Sequence, residues 1–210
     1  MSDLPPGIDR RTFNGGESLA TKGPQAYGEP VADGWRRWSR ERSKLAGMLE
    51  RSLPIELTPD ARVLYLGAAS GTTVSHVADV VAHTYAVEFA PRPARDLLAV
   101  ARNRENVYPI LADARQPSQY AHIVESNLDL IIQDVATRGQ AAVALANRQF
   151  LADDGQLILA IKARSEDVAQ EPVAIFDTVR EELTEGYEII ATARLEPHHV
   201  DHLGVVARPR

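Results

Sequence analysis

Beyond Ala61 the apolar positions alternate between two spacings. Short apolar runs near 62–66, 84–89, 106–110, 128–132, 156–161, 187–194 and 202–207 predict strands. Stretches near 72–82, 93–103, 117–125, 138–150 and 167–184 carry their apolar residues at helical spacing and predict helices. Strand and helix in alternation imply a mostly parallel sheet covered on both faces. Residues 1–52 differ. They are rich in Gly and Pro, with polar stretches such as Arg11-Thr12-Phe13 and Gly28-Glu29-Pro30, and are closed by Trp35 and Trp38. A small β-rich or irregular subdomain is expected there, followed by a helix from about Arg40 to Arg51 with Leu45, Met48 and Leu49 on one face, ended by Pro54. The chain thus divides at 1–52 and 53–210.

The junction between the first strand and helix of the alternating region carries the most chemistry. Val63 to Leu66 runs into Gly67-Ala68-Ala69-Ser70-Gly71-Thr72-Thr73, and the next strand ends at Glu88, 21 residues after Gly67. A carboxylate at that place can accept two hydrogen bonds from a ribose diol. A dinucleotide turn requires G-x-G-x-x-G, so that backbone amides reach a pyrophosphate. Here glycine stands only at 67 and 71, with Ala69 and Thr72 at the other places. That weakens a pyrophosphate reading and favours S-adenosylmethionine over NAD. A turn that merely lets strand and helix pack closely is the competing explanation.

Charge and composition narrow the setting. The chain has no cysteine and therefore no disulfide framework, and Met1 to Pro30 lacks the apolar core of a signal peptide. With no apolar run of membrane-span length, a soluble cytoplasmic protein is expected. The net charge of −6 argues against a generic nucleic-acid coat. Two local clusters, Arg36, Arg37, Arg40, Arg42 and Lys44, then Arg92, Arg95, Arg102 and Arg104, are read either as solvated faces or as anion-binding surface. Lysine occurs only at 22, 44 and 162, against twenty arginines. A lysine can lose its proton and an arginine effectively cannot, so Lys44 and Lys162 are candidates for chemistry.

Ligands of open α/β sheets bind at the carboxyl ends of the strands. Asp134 follows the apolar strand 128–132, Lys162 follows 157–161, and His202 opens the final strand; Lys44, on the lead-in helix, can reach the same rim. Each has a plain structural alternative: a helix cap for Asp134, a solvated strand end for Lys162, a core histidine for His202. The run His198, His199, Asp201, His202 does not match a zinc-ligand pattern, and no metal is expected.

These segments resemble the archaeal fibrillarin-like proteins, RNA 2′-O-methyltransferases. The resemblance rests on Arg42-Ser43-Lys44-Leu45-Ala46, Val63 to His76, Tyr85 to Arg92, Asp113-Ala114-Arg115, Asp134-Val135-Ala136, Phe150-Leu151, Ile161-Lys162-Ala163, Leu195-Glu196-Pro197 and Asp201-His202. It implies a Rossmann-like S-adenosylmethionine-dependent methyltransferase fold, a mostly parallel seven-stranded sheet whose last strand is antiparallel, with a small N-terminal β-rich subdomain. It places Gly67, Ala69, Thr72, Thr73, Glu88, Phe89, Asp113, Ala114 and the segment Asp134, Val135, Ala136 and Thr137 at the cofactor. It makes Lys44, Asp134, Lys162 and His202 the catalytic set, with Asp134 expected to orient the Lys162 side chain. The implied partners are a Nop-domain scaffold protein, a kink-turn-binding ribosomal-type protein, a box C/D guide RNA and the target rRNA or tRNA. Two departures stand out: Trp38-Ser39-Arg40, where the family often has Trp-Asn-Pro, and Thr137, where it often has glutamine. An architectural ribonucleoprotein component and a small-molecule methyltransferase are the alternatives, and an intact catalytic set and an open rim argue against each in turn.

Overall fold

A computed structural model describes residues 4–210. Two sheets organise it. The N-terminal residues form an antiparallel sheet of β1 (Ile8–Phe13), β2 (Gly16–Lys22), β3 (Val31–Ala32) and β4 (Trp35–Trp38), in the order β1-β2-β4-β3. Its hairpins turn at Asn14-Gly15 and Asp33-Gly34, and all four residues have positive φ. That is the condition for a two-residue turn matching strand twist.

Helix α1 (Lys44–Glu50) leads to the second sheet and starts later than the apolar spacing implies. Ser43, in extended conformation, caps it by accepting a hydrogen bond from Ala46 N–H, which fixes the start at Lys44. The larger sheet contains β5 (Arg62–Leu66), β6 (His83–Glu88), β7 (Val107–Leu111), β8 (Leu128–Gln133), β9 (Leu151–Lys162), β10 (Tyr187–Arg194) and β11 (His202–Pro209), ordered β10-β11-β9-β8-β5-β6-β7. β11 runs antiparallel to both neighbours and the central strands are parallel. The chain leaves β5 toward β6 on one side and returns to β8 on the other. The crevice between β5 and β8 is therefore the topological switch point, where such sheets bind ligands.

The helices are α2 (Thr72–Ala78), α3 (Pro91–Ala101), α4 (Gln140–Asn147), α5 (Ala163–Glu166) and α6 (Pro172–Leu183). The expected helix 72–82 stops at Ala78, and three others are shorter or broken. Between 117 and 125 only Pro117–Gln119 forms a 3-10 turn, because Gln119 turns its amide onto the Asp113 N–H and to Gln116. The stretch 167–184 is interrupted by Pro172, which forces Glu171 into an extended conformation and lets a helix begin but not pass through. The stretch 138–150 yields α4 only from Gln140, after Gly139 with φ of 72°, and ends in a 3-10 turn at Arg148–Phe150. Among the described residues no helix is long and apolar enough to cross a membrane.

The N-terminal sheet is joined to α2 through buried charge. Arg36, fully buried, donates from Nε to Asp79 Oδ2 at 2.6 Å and from Nη2 to Ser75 Oγ at 3.1 Å, and pairs with Glu29 at 2.5 Å. Arg104 reaches the other Asp79 oxygen at 3.3 Å and the Ser75 carbonyl at 3.2 Å. Two members of the expected basic clusters, Arg36 and Arg104, are therefore structural and not surface charges. Thr21 Oγ1 adds bonds to Asp79 at 2.6 Å and His76 Nδ1 at 2.8 Å. Trp38 stacks on the His76 ring at 5.0 Å, and Leu19 and Trp38 share one apolar cluster with Val63, Val74 and Leu130. This network holds α2, and with it Thr72 and Thr73, against the turn after β5.

Candidate functional site

A cleft of about 400 Å³ opens at the switch point. Its floor is backbone. Gly67 and Ala68 both donate to the Val87 carbonyl, and Asp134 N–H donates to Leu66 O at 2.9 Å. The strand ends are so close here that a Cβ on Gly67 would lie 2.4 Å from the Asp134 carbonyl oxygen, and Gly67 has φ of +83°. Only glycine satisfies both conditions. Glu88, at the end of β6, is locked by its own loop: Oε2 accepts from Ala69 N–H at 2.8 Å and Oε1 from Ala90 N–H at 2.7 Å. Beside it Phe89 leaves 67% of its surface exposed, an apolar ring at the mouth of the cleft.

Ten of the expected cofactor residues line this cleft: Gly67, Ala69, Glu88, Phe89, Asp113, Ala114, Asp134, Val135, Ala136 and Thr137. Thr72 and Thr73 do not. Thr72 lines a smaller neighbouring cavity of about 180 Å³, and Thr73 is buried with its hydroxyl donating to Ser43 Oγ at 3.1 Å. Apolar Val87, Ala112 and Val143 complete the wall. They escape sequence reading because nothing distinguishes them from ordinary core positions. Arg115 also lines the cleft and clasps Asp113, with its Nη2 2.6 Å from Oδ2. The side-chain bond from Arg115, against a smaller opposing effect of burial, holds the Asp113 carboxyl below its ordinary range.

The polar rim lies across the Asp134 end of the cleft. Lys44, the first residue of α1, straddles the Asp134 carboxylate, 2.8 Å from Oδ1 and 3.0 Å from Oδ2, each side chain being 23% exposed. This differs from the expectation that Asp134 orients Lys162. The helix-cap alternative for Asp134 fails too, since α4 begins under the Glu166 carboxylate, which accepts from Gly139 and Gln140 N–H at 2.8 and 2.6 Å. Lys162 ends β9 directly opposite His202 in β11. Its peptide is held by Gln140, a buried residue that no motif singles out: Lys162 N–H donates to Gln140 Oε1 at 2.9 Å, and Gln140 Nε2 donates to Lys162 O at 3.1 Å.

His202 Nδ1 faces the Val200 carbonyl at 2.6 Å, so the proton sits on Nδ1 and Nε2 is left as a buried acceptor without a partner among the described residues. Burial pushes the His202 imidazole below its usual range, and the Lys44 cation adds to that effect. His199 lies edge-on to it at 5.8 Å and bonds the Arg40 carbonyl at 2.7 Å. Its pKa is lowered by burial in the same way. Asp201 is engaged by Arg164 at 2.9 Å. His199, Asp201 and the Nδ1 of His202 are thus engaged in local contacts. Among the described residues no group of three or more His, Cys, Asp or Glu converges as a metal set.

A parallel sheet with one antiparallel end strand, a nucleoside-sized cleft at the switch point, a strand-end carboxylate and no dinucleotide turn define an α/β fold of the S-adenosylmethionine-dependent methyltransferase class. At the level of fold alone, the N-methyltransferase NodS from Bradyrhizobium japonicum aligns with a TM-score of 0.63 at 17% identity, over 81% of this chain and 96% of that one. A family model described as Fibrillarin matches residues 15–210. Proteins described as fibrillarin-like rRNA/tRNA 2′-O-methyltransferase from Halobacterium salinarum and Halorubrum lacusprofundi are 62% and 60% identical to it. Both alignments cover 99% of this chain, and 99% and 98% of those proteins. The crystal structure of Aeropyrum pernix fibrillarin with natively bound S-adenosyl-L-methionine has a TM-score of 0.87 at 40% identity, over 98% of this chain and 95% of that one. That of a fibrillarin/Nop5p complex has the same TM-score at 42% identity, over 92% and 94%. The chain belongs to the fibrillarin family.

Proposed function

We propose that this chain is an S-adenosylmethionine-dependent RNA 2′-O-methyltransferase acting on rRNA and tRNA in the cytoplasm as the catalytic subunit of a box C/D ribonucleoprotein. The observation that carries the reading is the Lys44–Asp134 ion pair at the edge of a cleft that also holds Glu88, with His202 close enough to feel both charges and Lys162 paired with His202 in the sheet. The residues fit the cofactor. Glu88 presents a carboxylate fixed by two backbone donors at the place where a ribose diol binds, Phe89 offers a face for adenine, and Gly67 leaves the cleft floor bare. Ala69, Asp113, Ala114, Val135, Ala136 and Thr137 would enclose the nucleoside; Thr72, in the adjoining cavity, is left to meet the methionine end, and Thr73, buried against Ser43, to support it from behind. When bound, S-adenosylmethionine supplies an electrophilic methyl group on a sulfonium.

A ribose hydroxyl is a very weak acid. Its oxygen must be aligned and its developing negative charge met by fixed positive groups. Lys162 takes or stabilises the hydroxyl proton. Lys44, held on both oxygens of Asp134, cannot swing away and keeps a cation at the rim, while the carboxylate tempers that charge. His202, neutral with its Nδ1 proton committed to Val200, positions the nucleotide without adding charge.

Specificity for an RNA sequence comes from outside the chain. Its net charge is −6, and Arg36 and Arg104 are consumed by the fold, which leaves Arg92, Arg95 and Arg102 as the exposed cations along α3 and its end. Base pairing to a guide RNA, held by a Nop-domain scaffold and a kink-turn-binding protein, supplies the address. Likeness to the fibrillarin of a fibrillarin/Nop5p complex supports the scaffold. The test is transfer of a labelled methyl group to a target paired with its guide in the assembled particle, beside a target carrying 2′-deoxyribose at the addressed nucleotide. The reading expects label in the first and none in the second; equal labelling refutes it.

A further inference from the structure

The side chain of Gln140 is wholly buried, yet it is not filling an apolar gap. Both polar atoms of its amide are committed to the backbone of one residue: Oε1 accepts from Lys162 N–H at 2.9 Å and Nε2 donates to Lys162 O at 3.1 Å. β9 pairs with β11 on one side and β8 on the other, but Lys162 is its last residue, and β8 has already ended at Gln133. Gln140 therefore supplies on the β8 side the pairing that the ladder no longer provides. Its own backbone is fixed at both groups. Gln140 N–H, with Gly139 N–H, donates to Glu166 on α5, and Gln140 O accepts from Gln133 Nε2 at 2.7 Å. A closed circuit runs from the end of β8, through Gln140 and the Lys162 backbone, to Glu166, and it spans the base of the loop 134–139, whose first four residues line the cleft.

We infer that Gln140 is a positioning residue for the reaction. It sets the place of the Lys162 backbone relative to Asp134 and the cleft wall, so that the lysine side chain is launched toward the reacting hydroxyl from a fixed point. The inference rests on the methyltransferase reading above. A misplacement on the order of 1 Å at a reacting group can cost about a hundredfold in rate. Cofactor affinity rests chiefly on Glu88 and Phe89 at the end of β6 and on the turn at Gly67, whose hydrogen bonds run to Val87, Ala69 and Ala90 and not to Gln140.

The test uses the assembled particle with a matched guide and target. It compares wild type, Gln140→Met, which keeps the volume and loses both bonds, and Gln140→Glu, which keeps the oxygen that accepts from Lys162 N–H. Single-turnover methyl transfer and S-adenosylmethionine affinity are measured for each. The expected result for Q140M is affinity within about twofold of wild type and a rate lower by about tenfold to a hundredfold, with Q140E in between. A Q140M rate equal to wild type overturns the inference. So does equal loss of rate and affinity, or a Q140E rate no higher than that of Q140M. If Q140M does not fold, Q140E alone decides: a reduced rate at retained affinity sustains the inference and a wild-type rate refutes it. An inactive wild-type particle removes the reaction itself, and the inference with it.

Discussion

Gly67→Ala tests whether the cleft floor is as tight as its geometry requires. Two penalties act at that position. The backbone has φ of +83°, a region that costs an L side chain about 1 kcal/mol or more, and the new methyl would stand 2.4 Å from Asp134 O and 2.9 Å from Asp134 C. Both neighbours are backbone, held by the 2.9 Å bond from Asp134 N–H to Leu66 O, so relief comes only by prying the ends of β5 and β8 apart. Overpacking of that kind costs a further ~1–3 kcal/mol. Gly15→Ala is the matched control, since φ is again +83° and no other atom of the described residues lies within 4 Å of the added carbon. It isolates the backbone penalty. With a total of about 3 kcal/mol for G67A and ~1 kcal/mol for G15A, melting temperatures should fall by about 6–12 °C and ~2–4 °C respectively. Differential scanning calorimetry gives both shifts, and calorimetric titration of S-adenosylmethionine should show weakened binding in G67A alone. Equal thermal shifts in the two variants, or full cofactor affinity in G67A, would refute the account of the floor.

Lys162→Arg keeps the charge, enlarges the head group and removes a practical proton acceptor, so single-turnover methyl transfer should drop by at least about a hundredfold with cofactor affinity unchanged; full activity would leave Lys162 a solvated strand end. Replacing Arg92, Arg95 and Arg102 together by alanine should weaken RNA engagement and flatten its salt dependence. Arg104→Ala should instead destabilise the fold by about 3 kcal/mol in urea titrations, because it strips one partner from buried Asp79; a stable R104A chain would return Arg104 to the surface cluster. Burial, with Arg36 and then Arg104 adding to it, holds the His76 imidazole well below its ordinary range, and burial lowers His199 and His202 as well. Unfolded, these groups titrate near ~6.5, so the unfolded chain takes up protons that the folded chain refuses, and their contribution is complete above that pH and lost as pH falls through it. Glu29, whose burial is outweighed by bonds from Tyr27 and Arg36 that bring it to about 2, acts in the same sense below 4.5. Asp79, pushed up by burial, opposes them. Melting temperatures should therefore be lower at about pH 5.5 than at about pH 7.5, and a flat or reversed dependence would contradict the buried neutral histidines.

The seven strands of the larger sheet were legible because each is a local apolar run, and the turn at Gly67 because its glycines and Glu88 lie within one strand-helix-strand unit. Helix limits were less so. Ser43, Gly139 and Pro172 decide them, and they act against the apolar periodicity that suggests longer helices. The N-terminal strands do have a local signal, Asn14-Gly15 and Asp33-Gly34, but the strands are short and largely polar and give no apolar alternation of their own. What sequence conceals most is charge pairing at a distance. Arg36 and Arg104 look like members of basic clusters until Asp79 is brought between them, and the partner of Asp134 is 90 residues away in Lys44. Gln140 is hidden for the opposite reason: an amide at the start of an alanine-rich helix matches no motif, and only the end of β9 gives it a purpose.

The central claim, that this chain carries the chemistry while a guide RNA carries the address, is tested most directly on one RNA target. Methyl incorporation is mapped to the nucleotide for the purified chain alone and for the chain assembled with a Nop-domain scaffold, a kink-turn-binding protein and a matched guide. The account predicts S-adenosylmethionine binding in both cases, with 2′-O-methylation confined to the assembled particle and moved to a new nucleotide when the guide sequence is changed. Equal, site-specific methylation by the chain alone, or a methylated position indifferent to the guide, would contradict it.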